Sequence, residues 1–200
     1  MSKAPSYTAP QPVIDQLEYI GSPLAYARKT MKRIPELEKL PGAFDDLIHS
    51  LTFLTAYNGS GATFNSYRRE IERLLQWCWL IQKVTLTYLG RQDIEAYIHF
   101  CQDPPKAWTG DRQAARFTGP EGERKASTIW RPFVSKADKI GRMSSTALSQ
   151  KSLQSVFAVL STYFNFLLQE DYLKVNPVAL IRQKSKFLQR HAYQEPVRRL

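Results

Sequence analysis

The chain predicts an all-α fold, and three observations carry that reading. Apolar residues recur at spacings of three and four in four separate stretches, no stretch alternates apolar and polar residues over the length of a strand, and runs containing Gly or Pro separate the periodic stretches. At 200 residues, with ten Phe, ten Tyr and four Trp, the chain can bury a sizeable core without staples. No internal repeat or low-complexity tract interrupts it.

The first forty residues carry Pro5, Pro10, Pro12, Pro23, Pro35 and Pro41, so residues 1–43 permit only short helical pieces and a partly mobile course. One piece begins with Ser22 as cap and Pro23 at the first helical position. From Phe44, the set Phe44, Leu47, Ile48, Leu51 and Leu54 marks an amphipathic helix that ends before the turn Asn58-Gly59-Ser60-Gly61. Thr63 then stands as an N-cap for a long helix over about 64–82. Phe64, Tyr67, Ile71, Leu74, Leu75 and Cys78 form its inward stripe, with Arg68, Arg69, Glu72 and Arg73 off it.

After a break at Leu89-Gly90, a shorter helix from Arg91 to Gln102 turns Ile94, Tyr97, Ile98 and Cys101 inward, and Asp103-Pro104-Pro105 stops it. Residues 103–146 read as a long basic loop, with one turn of helix expected near Trp130 to Ala137. Ser149 caps the second long helix, whose stripe is Leu153, Val156, Phe157, Leu160, Phe164, Leu167 and Leu168. Asn176-Pro177 opens a short last helix to about Gln183, and a basic extension covers 184–200. The expected division is a segment 1–43, a helical domain 44–183 and a basic linker 184–200.

Twenty-eight Lys and Arg against 18 Asp and Glu give a net charge of +10, which favours a polyanionic partner. The excess is local. Residues 1–62 are balanced, whereas 103–146 carry nine basic against five acidic groups and 171–200 carry seven against two. The two cysteines, Cys78 and Cys101, lack metal-ligand spacing and read as free buried thiols. The N-terminus lacks the apolar core of a signal peptide, and no apolar run has membrane-spanning length, so no membrane partner and a cytoplasmic location are expected.

A self-contained active site is not found. His49, His99 and His191 lack an Asp, Glu, Ser or Cys partner at a recognisable spacing, and His99-x-Cys101 offers at most two metal ligands that do not share a helix face. The glycines of 110–122 lack the strand-loop-helix frame and the lysine of a nucleotide site. Asp93 and Glu95, two apart on a helix, do not face one substrate. No metal and no cofactor is expected.

Binding has better material. Two long helices begin with hydroxyl, amide and basic residues that can meet phosphates and base edges: Thr63, Asn65, Ser66 and Arg69 on one, and Ser149, Lys151, Ser152, Gln154 and Ser155 on the other. Pattern alone leaves a second reading open, in which Thr63 and Ser149 are simple caps and the rest a solvated face.

These residues carry a family likeness. The succession Thr63-x-x-x-Tyr67-Arg68-x-x-Ile71-x-x-Leu74-Leu75-x-Trp77, then Leu89-x-Arg91-x-Asp93-Ile94-x-x-Tyr97-Ile98, then Lys151-Ser152-Leu153 with Leu160-x-x-Tyr163-Phe164-x-Phe166-Leu167, and finally Asn176-Pro177, resembles the core-binding domain of tyrosine recombinases of the phage-integrase type. The likeness covers about 63–183. It implies a small SAM-like helical bundle, here with an extra N-terminal helical segment, that clamps one face of a recombination half-site while a separate catalytic domain takes the other.

By that resemblance, Thr63 is a phosphate-contacting cap, and Asn65, Ser66 and Arg69 face the groove. Lys151 and Ser152 meet phosphates, Gln154 and Ser155 face bases, and Lys184 and Lys186 track the backbone from the interdomain linker. The implied partners are duplex DNA at an attachment or recombination site and other recombinase protomers on it, in a bacterial nucleoid.

Departures accompany the matches. The 103–146 loop is far longer than in the family, so Arg112, Arg116, Arg124, Lys125, Arg131, Lys136, Lys139 and Arg142 have no counterpart, and DNA, a neighbouring protomer and water all stay open as their surroundings. The family's His-x-x-Arg motif is absent and Tyr193 has nothing around it to activate it. The expectation is a fragment that binds DNA without cutting it, from a parent that is a DNA breaking and rejoining enzyme needing neither metal nor nucleotide. The rival expectation is a helical protein-interaction module whose basic surface binds an acidic partner.

Overall fold

The computed structural model describes residues 7–135 and 148–181; Lys136, Lys139, Arg142, Lys184, Lys186 and Tyr193 lie outside the described residues. The architecture is mostly helical, and the elements follow the sequence pattern closely. Helix α1 (Pro23–Arg33) starts as expected, with Pro23 at its first position and the Ser22 side chain accepting from the Ala25 N–H. A single turn, α2 (Pro35–Glu38), leads to α3 (Ala43–Thr55). Then come α4 (Gly61–Gln76), which runs on as a π-helical segment Trp77–Gln82, α5 (Arg91–Gln102) and α6 (Gln150–Gln169).

The predicted stripes form the core. Leu47, Leu51 and Leu54 of α3, Ile71, Leu74, Leu75 and Cys78 of α4 and its extension, Ile94, Tyr97, Ile98 and Cys101 of α5, and Leu160, Phe164 and Leu167 of α6 are fully buried. Phe44, Ile48 and Tyr67 are half-buried, Leu168 is 41% exposed, and Tyr163, outside the predicted stripe, is fully buried. Phe53 sits between three elements, its ring centroid 5.6 Å from Tyr67 of α4 and 5.3 and 5.2 Å from Tyr163 and Phe166 of α6. Both cysteines are free and buried, as expected.

Asp46 ties the bundle from inside. Its fully buried carboxylate accepts from the Trp79 indole N–H (2.9 Å), the Leu86 N–H (3.1 and 3.2 Å) and the Tyr172 hydroxyl (2.7 Å). Burial outweighs these bonds and pushes its pKa up to about 6.

Four expectations require correction. The fold is not purely α-helical: two-residue strands β1 (Thr109–Gly110) and β4 (Phe133–Val134) pair in parallel, and β2 (Phe117–Thr118) and β3 (Lys125–Ala126) pair antiparallel. Two residues are too few for a period of two to be read. The helical turn expected from Trp130 is instead extended at Phe133–Val134, where the backbone pairs with β1 and Pro132 has no N–H to give a helix. At 176–181 the chain makes a turn rather than a helix, with the Asn176 Oδ1 accepting from the Val178 and Ala179 N–H groups at 3.0 and 3.2 Å.

The fourth concerns the N-terminal segment. Val13, Ile14, Ile20, Ala27 and Met31 belong to the same core cluster as the residues of α3 to α6, so no core boundary separates 7–43 from those helices. The Glu72 carboxylate holds this segment in place by accepting the N–H groups of Val13 and Ile14.

Candidate nucleic-acid interface

The two helix starts are built alike. Ser60, not Thr63, caps α4: its hydroxyl oxygen accepts from the Thr63 N–H and donates to the Thr63 side chain at 2.8 Å. The helix begins at Gly61 because Ser60 can take the extended conformation of a cap one residue after the Asn58-Gly59 turn. Ser149 caps α6 as expected. Its hydroxyl lies 2.9 Å from that of Ser152 and accepts the Ser152 N–H at 3.2 Å. Neither first turn carries an acidic residue, so neither helix dipole is compensated from within its own first turn.

Around these caps the expected residues are displayed unequally. Asn65 and Arg69 of α4 and Lys151, Gln154 and Ser155 of α6 are exposed, while Thr63, Ser66 and Ser152 are half-buried. Asn65 accepts from the Arg68 guanidinium at 2.7 Å, and Arg69, its side chain 51% exposed, pairs with Glu70 at 2.7 Å. The Ser155 hydroxyl donates back to the Lys151 carbonyl at 3.2 Å. Hydrogen bonds organise each set within its own helix; α4 packs on α6, and Phe53 joins Tyr67 near the start of α4 to Tyr163 and Phe166 in the later half of α6.

Two arginines of the basic loop, whose surroundings the sequence left open, face carboxylates of the protein itself. Arg116 pairs with the fully buried Glu72, and its guanidinium stacks 4.6 Å from the Trp130 ring. Arg124 grips Asp15 through two bonds of 2.8 and 2.7 Å and lies 4.2 Å from the Tyr19 ring. Both are therefore committed to carboxylates of the protein. Arg112 and Lys125 remain exposed.

Most of the charged residues of α4 are likewise interior: Arg68, Glu70, Glu72 and Arg73 are buried, and Arg69 is exposed. Arg73 bridges them, donating to Glu70 at 2.7 Å and to the Pro132 carbonyl at 2.8 Å. The one signal that bore on this was the mixture of signs on α4 opposite a loop of similar mixture, which a solvated helix shows equally well.

Of the residues weighed for catalysis, three are occupied in the fold, and His191 lies outside the described residues. Asp93 caps α5 by accepting the Gly90 N–H at 2.8 Å, Glu95 pairs with Arg91, and His49 stacks on Tyr172 at 4.1 Å. Among the described residues no group of three His, Cys, Asp or Glu side chains is placed to hold a metal ion, and no helix is long and apolar enough to cross a membrane. What fold and surface together define is a mostly helical domain with two serine-capped helix starts whose first turns carry no acidic residue. Comparison of the chain with protein-family models, curated proteins and solved structures finds no match.

Proposed function

We propose that this chain is the duplex-DNA-binding portion of a site-specific tyrosine recombinase of the phage-integrase type, a SAM-like core-binding bundle that grips one face of a recombination half-site in the bacterial cytoplasm, alongside other protomers. The observation that supports this reading best is the pair of helix starts. Two helices that pack on each other both begin with a serine cap, carry no acid in the first turn, and leave Asn65, Arg69, Lys151 and Gln154 exposed.

Phosphate contacts from Lys151 and Arg69, joined by Lys184 and Lys186 of the linker, supply affinity in this reading, with Gln154, Ser155 and Asn65 reading base edges. Arg116 and Arg124 do not serve as phosphate ligands, since each holds a carboxylate and is largely enclosed, whereas Arg69 keeps half of its side chain exposed beside Glu70. The fragment does no chemistry on its own; strand cleavage belongs to the catalytic domain of its parent.

The test is the salt dependence of binding to duplex DNA, followed by fluorescence anisotropy. Neutralisation of about six phosphates gives a log-log slope near −5. A flat response overturns the reading, and co-purification with an acidic protein without retention on heparin favours the protein-interaction module instead.

A further inference from the structure

Between the N-terminal segment, α4 and the loop lies a cavity of about 260 Å³ whose lining includes Arg68, Arg69, Arg116, Arg124 and Arg131 against a single carboxylate, Asp15. Three of the five are neutralised: Arg69 by Glu70, Arg116 by Glu72 and Arg124 by Asp15. Among the described residues Arg68 and Arg131 have no carboxylate partner. Arg131 donates only to the Thr128 and Trp130 carbonyls, at 2.8 and 2.6 Å.

Arg68 is the anomaly. Only 8% exposed, it donates through Nη2 to Asn65, while its Nε and Nη1 are buried without a partner. A guanidinium stays charged, and a buried one with unmet donors costs several kcal/mol unless an anion meets it. Burial and the neighbouring positive charges of Arg68 and Arg69 also push Arg116 down to about 9, so the cavity is a place where positive charge is held at a penalty.

We propose that this cavity is a phosphate-binding site that takes a terminal phosphate group, with Arg68 and Arg131 as its direct ligands and Arg69 at its rim. A dianion with tetrahedrally arranged oxygens meets two forked guanidinium groups better than a single carboxylate does. The volume lies below the roughly 300–1,000 Å³ of pockets that enclose drug-sized ligands, which suits a small anionic group. Lys151 and Gln154 of the α6 start line no part of this cavity, and Arg69 at its rim is the residue it shares with the duplex-DNA reading.

The test uses inorganic phosphate at constant ionic strength, with chloride as control, read by thermal unfolding of the whole chain and by ³¹P line broadening. At a hundredfold excess over its Kd, phosphate shifts the folded-to-unfolded ratio by about 100-fold and raises Tm by roughly 5–10 °C. In Arg68→Met this response is lost, while Tm without phosphate is equal to or above that of the parent, because the unmet charge has gone. Arg131→Met, on the more accessible side, loses most of the response and serves should the first variant not fold.

Absence of any phosphate effect on the parent chain, or an undiminished effect in both variants, overturns the proposal. Lys151→Ala retains the phosphate response in full, which separates this site from duplex binding. The source of the phosphate is read by competition: displacement by a 5′-phosphorylated oligonucleotide but not by its 5′-hydroxyl twin assigns it to a DNA end, and displacement by a nucleoside monophosphate alone assigns it to a small molecule. Either result supports the site.

Discussion

Glu72 faces Arg116 from the middle of α4, with none of its side chain exposed, and the same carboxylate accepts the N–H groups of Val13 and Ile14. One side chain thus fastens the N-terminal segment and the basic loop to the same helix. Removing one partner of a buried ion pair leaves the other charge unmet, a loss of about 3–5 kcal/mol. Glu72→Gln is expected to lower the urea midpoint by a corresponding amount. A double variant with Arg116→Met recovers part of the loss, since it removes the orphaned charge; equal midpoints for parent and single variant would show that the pair contributes nothing.

Asp46 predicts a pH dependence of stability. Its carboxyl has an ordinary pKa of 3.8 and is raised to about 6 in the folded protein, so the folded state holds the proton more tightly than the unfolded chain. Its contribution is therefore fully present below about pH 4 and is lost as pH rises through about 6. A shift of about two units corresponds to about 3 kcal/mol. Asp46→Asn keeps one acceptor oxygen for Tyr172, Trp79 or Leu86 but has no proton to titrate. Between pH 4 and pH 7 the unfolding free energy of the parent should fall by about 3 kcal/mol relative to that of the variant, and parallel plots would contradict the assignment.

The α6 start separates stability from binding. Ser149→Ala removes the cap of the Ser152 N–H and costs about 1 kcal/mol, with the loss seen in thermal unfolding. Lys151 is exposed and has no ion-pair partner among the described residues, so Lys151→Ala leaves Tm within about 1 °C while weakening duplex binding across all sequences and reducing the magnitude of the salt slope by about 1. A Lys151 variant with unchanged DNA affinity would remove that residue from the interface.

Gly119 controls the loop. Its φ of +97° and the 2.8 Å that would separate an added Cβ from the Glu123 carbonyl oxygen leave no room for a side chain in the turn between β2 and β3. Gly119→Ala strains the turn by roughly 1–3 kcal/mol. Its first readout is faster hydrogen exchange at the Ser127 N–H, which donates to the Arg116 carbonyl at 2.8 Å beside this ladder. Unchanged protection there would show that the turn does not hold the loop in place.

The helices are legible in the sequence because their signals are local. Ser22 with Pro23, Ser149, and Asp103 followed by Pro104 and Pro105 mark ends through hydrogen bonds and steric limits that act within four residues, and the apolar stripes of α3 to α6 repeat at the helical period. Locality also explains why Thr63 reads as the cap of α4: Ser60 and Thr63 are both acceptable caps within one turn, and only the path of the preceding chain chooses between them.

By itself, then, the sequence determined the helical character of the chain, the faces those helices bury, the free cysteines and the two polar helix starts. Tertiary structure alone decided which charges are solvated. Arg68, Glu72 and Arg116 look like surface residues in one dimension, and Asp15 stands 109 positions from the Arg124 that holds it. Ion pairing and desolvation depend on distance in space across that separation, which no local pattern encodes.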